Sequence, residues 1–257
     1  MSSAQRLRAI IRNGATVLLC TPTYALRMAE VARDEGIDLK DAAVQKIFVA
    51  GEPGGTVPQV RDPISAVWNH ARVLDHYGMT EVGPVSFEEL DEPGVQRINE
   101  ESYFAEIVEP DSGRPAADGE VGELVLTTLG REASPLLRYR TGDLVKARRE
   151  ENGLVLEGGI IGRADDMVVV RGVNLYPSAL DAVVRAVPEI TEYRAEISRR
   201  GEMTELIIRV ESSDGGAAST LEKALSAAFA LRIPVICAPA GSLPRFELKA
   251  RRWVRNE

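Results

Sequence analysis

A chain of 257 residues with 44% hydrophobic content is long enough for one large or two ordinary domains with filled cores. Its formal net charge of -8 comes from interspersed acids and bases, which leaves no broad basic face for a phosphate backbone and argues against nucleic acid as a partner. No segment reaches the roughly 18 apolar residues of a membrane helix, and Met1 to Asn13 alternates polar and basic residues without a secretory apolar stretch, so a cytoplasmic protein with no membrane partner is expected.

In chain order, the apolar run Ala15 to Cys20 reads as a strand ending at the helix-opening pair Thr21-Pro22. Tyr24, Met28 and Val31 then recur at helical spacing until Gly36. Lys46 to Ala50 repeats the pattern as a second strand, Gly51 to Gly55 turns, and Val57 to Ala71 reads as helix despite Pro58 and Pro63. Val73-Leu74 leads as a third strand into Tyr77-Gly78-Met79-Thr80-Glu81. Strands alternating with helices predict a parallel sheet with ligands beyond the carboxyl ends of its strands, where Gly51-Glu52-Pro53 and the Tyr77 motif both lie.

From Val82 to about Ile160 the texture changes to β runs such as Phe104 to Val108 and Glu123 to Leu129, separated by turns at Asp111-Ser112-Gly113 and Ala117-Asp118-Gly119. A mostly antiparallel β subdomain is expected there. Strand Met167 to Arg171, helix Ser178 to Ala186, strands Tyr193 to Ser198 and Glu205 to Glu211, helix Thr220 to Leu231 and strand Ile233 to Cys237 follow. Leu180, Val183, Val184 and Val187 share one helix face, and Ser219 and Glu222 stand at capping-box spacing. The predicted fold is α/β: a partial parallel-sheet layer plus an antiparallel β subdomain over residues 1–164, then a small mobile α+β domain over 165–257. Cys20 and Cys237 sit in apolar settings without metal-ligand spacing, and two buried thiols in a reducing compartment are expected.

Three polar motifs could build one nucleotide site. The Tyr77 ring could stack on adenine, a contact of roughly 1 to 3 kcal/mol, with Gly78 allowing a sharp backbone turn beneath it. Thr80 and Glu81 offer a hydroxyl and a hard carboxylate oxygen, the latter suited to Mg²⁺; the alternative is a strand-end turn with a buried tyrosine. Asp143, closing Tyr139-Arg140-Thr141-Gly142-Asp143, could accept both hydroxyls of a ribose, or the string could be an ordinary turn. Arg163, in Gly162-Arg163-Ala164-Asp165-Asp166, could bind ribose or the α-phosphate, or simply pair with Asp165 or Asp166.

Together these strings resemble the adenylate-forming enzymes, the superfamily of acyl-CoA synthetases, peptide-synthetase adenylation domains and luciferases. The stretch from Arg131 to Asp143, with Arg171-Gly172-Val173-Asn174-Leu175-Tyr176-Pro177-Ser178, looks specifically like the phenylacetate-CoA ligase branch, and the likeness runs from about residue 10 to the C-terminus. The resemblance implies an ATP-dependent acid-CoA ligase: a carboxylate and ATP give acyl-adenylate and pyrophosphate, then CoA takes the acyl group as a thioester. It implies Tyr77 on adenine with Glu52 and Pro53 as another wall, and Glu81 on Mg²⁺. Asp143 would hold the ribose, Arg163 would position ribose and phosphate, and Asp165 would be the hinge. The Arg171 to Asn174 loop, with Gly172, would stand beside CoA, and Lys249 in Pro244-Arg245-Phe246-Glu247-Leu248-Lys249-Ala250 would be the adenylation lysine. A small aryl or arylacetic acid is the implied substrate.

The chain also departs from the family pattern. No Ser/Thr/Gly-rich phosphate loop occurs in it, and Gly54-Gly55-Thr56 lacks the hydroxyl run. The expectation is a truncated ligase or one part of a split one, with apolar surface covered by a second polypeptide or a homodimer. The alternative is a non-catalytic nucleotide- or CoA-binding regulatory module. A dinucleotide oxidoreductase is disfavoured because no GxGxxG opens a helix after a strand. Leu248 stands where the family usually has glycine, which puts the placing of Lys249 in question, and Glu151 to Gly159 lacks the cysteines of some branch members, so no zinc is expected.

Overall fold

The computed structural model describes residues 1–200, 203–247 and 249–256. It divides into two compact units, Met1–Asp165 with Glu247–Lys249, and Asp166–Phe246 with Ala250–Glu257.

The first unit opens with α1 (Ser3–Arg12), capped by a reciprocal pair in which Ser2 Oγ accepts from the Gln5 amide and Gln5 Oε1 accepts from the Ser2 amide. Leu7 is fully buried, and Ile10 and Ile11, one turn further on, pack half-buried against the same core, so this helix, absent from the expected elements, carries an ordinary apolar stripe. Next come β1 (Val17–Cys20), α2 (Pro22–Asp34), β2 (Lys46–Val49), α3 (Pro58–Val67) and β3 (Arg72–Met79). Helix α2 starts where the sequence predicts: Thr21 Oγ1 accepts from the Tyr24 amide at 3.1 Å and Pro22 needs no amide partner. Helix α3 ends earlier than expected, because Asn69 and His70 take left-handed conformations at φ 54° and 61°. Leu7, Met28, Ile47, Ile64 and Trp68 form the core of this layer, and the Trp68 indole donates to the Ala25 carbonyl at 3.0 Å.

Strand β3 is the junction. Its first half pairs parallel with β2, from Lys46↔Arg72 to Val49↔Asp75, and its second half pairs antiparallel with β4 (Gly83–Glu88), from His76↔Phe87 to Met79↔Gly83. The antiparallel region predicted after Val82 is present as β4, β5 (Val95–Ile98), β6 (Tyr103–Val108), β7 (Val121–Thr128), β8 (Tyr139–Glu150) and β9 (Gly153–Arg163). It is continuous with the parallel layer, in one nine-stranded sheet of order β1-β2-β3-β4-β5-β9-β8-β7-β6. The cause is strand length: β3 has 8 residues against 4 in β2, so half of it extends past its parallel neighbour and is free to be met by a returning strand.

The second unit holds the hairpin β10 (Val168–Val170) and β11 (Val173–Leu175), then α4 (Pro177–Arg185), β12 (Ile190–Arg200), β13 (Met203–Ser212), α5 (Ala217–Phe229), β14 (Val235–Cys237) and β15 (Trp253–Arg255). Its four-stranded sheet runs β14-β13-β12-β15, with Leu180 and Val184 of α4 and Leu221 and Leu225 of α5 buried with Ala195 and Ile208. Two sequence expectations are corrected here. Ser219 does not cap α5: the helix begins two residues earlier, with Gly216 at the cap and no side-chain cap bond. Cys237 is exposed at an edge strand, while Cys20 is half-buried, its thiol pushed up to about 12 by burial and then by the charge of Glu52. Among the described residues no helix is long and apolar enough to cross a membrane.

Candidate active site

In the first unit the Tyr77 motif and the Asp143 motif meet side chain to side chain. Tyr77 Oη donates to Asp143 Oδ2 at 2.6 Å, across 66 positions of sequence. Register explains the third member: β8 and β9 pair Asp143 directly with Arg163, which brings Arg163 Nη1 to 3.4 Å from Asp143 Oδ1. Arg163 also donates to Asp165 through Nε at 2.8 Å and Nη2 at 3.2 Å, so the ion pair weighed as its alternative role exists alongside the contact to Asp143.

Asp143 is 6% exposed. Burial raises its pKa; the Tyr77 hydroxyl and the charge of Arg163 oppose this, and Lys249 adds a weaker pull in their direction. Tyr77 is pushed above its ordinary value by burial and by the neighbouring Asp143 charge, so it remains a phenol and a donor. Two neighbours of Asp143 in its motif, which had no role of their own in the sequence reading, complete the setting. Thr141 Oγ1 donates to the Leu124 carbonyl at 2.7 Å and accepts from the Asp143 amide at 3.1 Å, fixing the strand where the carboxylate leaves it. Gly142 has φ 75°, and a β-carbon there would lie 2.8 Å from Arg163 Nη2.

Gly78 is required for a different reason than expected. It lies within β3, outside the left-handed region, at the bulge between Tyr77 and Gly78, and a β-carbon would fall 2.6 Å from the Gly83 carbonyl oxygen. Gly78→Ala is expected to destabilise the unit by about 1 to 3 kcal/mol, because backbone cannot yield as a side chain does. Urea unfolding measures this, and an unchanged midpoint would refute the close-approach argument.

Thr80 and Glu81 form the exposed turn between β3 and β4, and Arg131 Nη1 donates to the Glu81 carbonyl. Glu52 is half-buried, its Oε1 accepting from the Thr23 amide at 2.6 Å in the first turn of α2, where a helix favours negative charge. Pro53 beside it is exposed. Lys249 groups with the first unit, and a β-carbon on Gly51 would stand 3.3 Å from its Cε. Leu248 lies outside the described residues.

Beneath the Gly51–Gly55 turn lies a buried polar cluster that no motif announces. Asp75 sits under Gly55, where a β-carbon would come within 2.5 Å of Asp75 Cγ. Glu88 accepts from the Asp75 amide at 2.8 Å, the Gly94 amide at 2.6 Å and Arg61 Nη2 at 2.5 Å, and Arg61 also donates to the Gly55 carbonyl at 3.1 Å. Its one sequence signal is a carboxylate two residues before Tyr77, directly after the apolar pair Val73-Leu74.

Arg171, Gly172 and Asn174 form a separate group in the second unit. Arg171 and Gly172, at φ 49° and 83°, make the two-residue turn of the β10–β11 hairpin, with Val170 paired to Val173. Arg171 Nη2 lies 3.6 Å from Glu205 Oε1, and Asn174 is exposed on β11.

Residues 1–130 match the family model described as AMP-binding enzyme, and residues 172–256 match that of the AMP-binding enzyme C-terminal domain. The phenylacetate-coenzyme A ligase of Thermus thermophilus is 37% identical over 207 residues, covering 77% of this chain and 45% of the relative. That of Escherichia coli is 33% identical over 258 residues, covering 92% and 57%. A crystal structure of 2-hydroxyisobutyryl-CoA ligase in the postadenylation state, in complex with R3-HIB-AMP, superposes with a TM-score of 0.92 at 29% identity, covering 99% of this chain and 57% of that one. The chain thus spans about half the length of the relatives it matches. It belongs to the AMP-binding enzyme family, the adenylate-forming superfamily, on the branch that resembles phenylacetate-CoA ligase.

Proposed function

We propose that this chain carries the adenosine-binding and adenylating residues of an ATP-dependent acid-CoA ligase of the phenylacetate-CoA ligase type, acting in the cytoplasm. One observation carries the reading: Tyr77, Asp143 and Arg163, from three different strands, form a single hydrogen-bonded group. The Tyr77 ring lies on adenine with Glu52 and Pro53 as a second wall, Asp143 accepts from the ribose hydroxyls, and Arg163 reaches ribose and α-phosphate as a planar fork. The Tyr77 hydroxyl holds the Asp143 carboxylate in orientation, so base and sugar are fixed relative to each other.

The chemistry asks little of acid-base groups. A carboxylic acid is already ionised at neutral pH and attacks the α-phosphorus directly, expelling pyrophosphate. The barrier is the approach of two anions, which the Lys249 ammonium lowers. Glu81 fits a Mg²⁺ ion, because its carboxylate is exposed in a turn beside the Thr80 hydroxyl and this ion takes one or two protein oxygens together with substrate phosphates. Bound there, Mg²⁺ would neutralise phosphate charge. In the second half-reaction the CoA thiol attacks the acyl-adenylate and releases AMP, with Arg171, Gly172 and Asn174 beside CoA and Asp165 as hinge. The remaining phosphate contacts and the acyl pocket, for an aryl or arylacetic acid, come from polypeptide outside these residues, in the same protein, a second copy or a second chain.

ATP–pyrophosphate exchange driven by phenylacetate, in the presence of polypeptide corresponding to the rest of the relatives, tests this reading. Lys249→Ala and Glu81→Gln are each expected to lower exchange by roughly 10² to 10³ while changing ATP affinity far less. A nucleotide- or CoA-binding regulatory module is the second reading. ATP binding that depends on Asp143, with no exchange under any of these conditions, would select it.

A further inference from the structure

Lysine occurs only at positions 40, 46, 146, 223 and 249, and Lys249 lies in the sequence between β14 and β15. Two buried carboxylates of the second unit's sheet spend their oxygens on the flanks of that lysine. Glu211, on β13 and 2% exposed, accepts from the Gly241 amide at 3.1 Å, the Leu243 amide at 2.5 Å and Arg245 Nη2 at 2.6 Å. Glu192, on β12 and 7% exposed, accepts from Arg252 Nε at 2.6 Å and Nη2 at 3.1 Å. The Arg252 guanidinium in turn lies over the Tyr193 ring at 5.3 Å and over the Phe246 ring at 5.6 Å. Beyond it, the Ala195 amide donates to the Arg252 carbonyl at 2.8 Å and β15 pairs with β12 in parallel.

Phe246 and Arg252 each stand three residues from Lys249, so their contact joins its two flanks. Closing a short segment shrinks the volume that its apex explores, which raises the fraction of time a terminal ammonium spends where it acts. Burying a carboxylate is costly unless donors surround it. Burial works against the charge on Glu211, yet Arg245 and the Leu243 and Gly241 amides outweigh it and hold the carboxyl below the usual glutamate range. The two carboxylates are paired in register on β12 and β13, next to the apolar pairs Tyr193 with Val210 and Ala195 with Ile208 that belong to the core of the unit.

We infer that Glu211 and Glu192 are positioning residues for Lys249: through Arg245, Arg252 and the Gly241 and Leu243 amides they hold the two flanks of the lysine, which meet where Arg252 lies over Phe246. The inference rests on the adenylating role given to Lys249 above. The ammonium supplies the charge, and the two carboxylates decide where it is delivered.

Amide hydrogen exchange and site-resolved acetylation of lysines, both on the full chain, test this. In Glu211→Ala the Gly241 and Leu243 amides should exchange at least about tenfold faster while those of β12 and β13 stay unchanged, with partial recovery in Glu211→Gln, which keeps an acceptor. Mg-ATP should shield Lys249 from acetylation in the wild type, and that shielding should be lost in Glu211→Ala with ATP affinity kept within about threefold and Lys146 labelling unaltered. Unchanged exchange at Gly241 and Leu243, faster exchange across the whole second unit alike, or intact shielding in the variant would each overturn the inference. Absence of shielding in the wild type, with the local exchange response present, would instead count against the role of Lys249. If Glu211→Ala does not fold, Arg245→Gln, at a partly exposed position, removes one donor from the same carboxylate, and the shielding of Lys249 by Mg-ATP should then be lost there, its persistence overturning the inference.

Discussion

Replacing Asp143 with alanine is expected to weaken ATP and AMP binding by roughly 30- to 150-fold, the cost of removing a buried, charged acceptor if it takes two ribose hydroxyls as proposed. Part of the loss comes from the groups left behind, since the Tyr77 hydroxyl loses its acceptor and Arg163 loses one carboxylate partner while keeping its pairing with Asp165. Asp143→Asn keeps one acceptor oxygen and should lose less. Tyr77→Phe preserves the ring but frees the carboxylate to rotate, so about a tenfold loss is expected, well short of that of Tyr77→Ala. Calorimetric titration separates these variants. Equal affinities for wild type and Asp143→Ala would remove the ribose assignment and with it the proposed site.

The second large effect concerns Asp75. Burial, then the charge of Glu88, raises its pKa from the ordinary aspartate range near 4 to about 7, against the opposing pull of Gln96, Arg61 and the His76 amide. An unfolded Asp75 gives up its proton near pH 4, whereas the folded one keeps it to about pH 7. Between those values the folded state carries the extra proton, so stability falls as pH rises through the window and levels off above it. The full loss is on the order of 4 kcal/mol. Asp75→Asn has no such titration, and its stability relative to wild type should climb by up to that amount between pH 4 and pH 8, as read from urea unfolding at both ends. Parallel pH profiles for the two proteins would refute it. Because Asp75 lies under Gly55, deprotonation also acts on the turn that carries Glu52 and Pro53, and nucleotide affinity should decline over the same interval.

The alternation of strands and helices up to Leu74, the β-rich middle and the α+β end are all legible in the sequence, because each follows from a short-range period or a turn residue. Thr21-Pro22 and Gly36 bracket α2 in the chain as they do in the fold. Helix α1 is missing from the expected elements although Leu7, Ile10 and Ile11 stand at helical spacing, because three apolar positions in a short polar segment are a weak local signal, and the Ser219–Glu222 spacing misleads because α5 extends past it toward Gly216. Gly78 is constrained in a way that no local pattern announces. Its constraint comes from β4, five residues further on, and not from its own dihedral angles.

The sequence by itself determines the chemical inventory: an aromatic ring, two carboxylates, a guanidinium and a lysine in an order that resembles one family, together with strand and helix periods that set the fold class. Only the tertiary structure decides that Tyr77 donates to Asp143, that Asp143 faces Arg163 across β8 and β9, that Asp75 and Glu88 share a dry cluster, and that Glu211 and Glu192 hold the flanks of Lys249. The reason is physical. Local periodicity is fixed by backbone geometry within a few residues, whereas register between distant strands and the burial of a charge depend on every element packed around them.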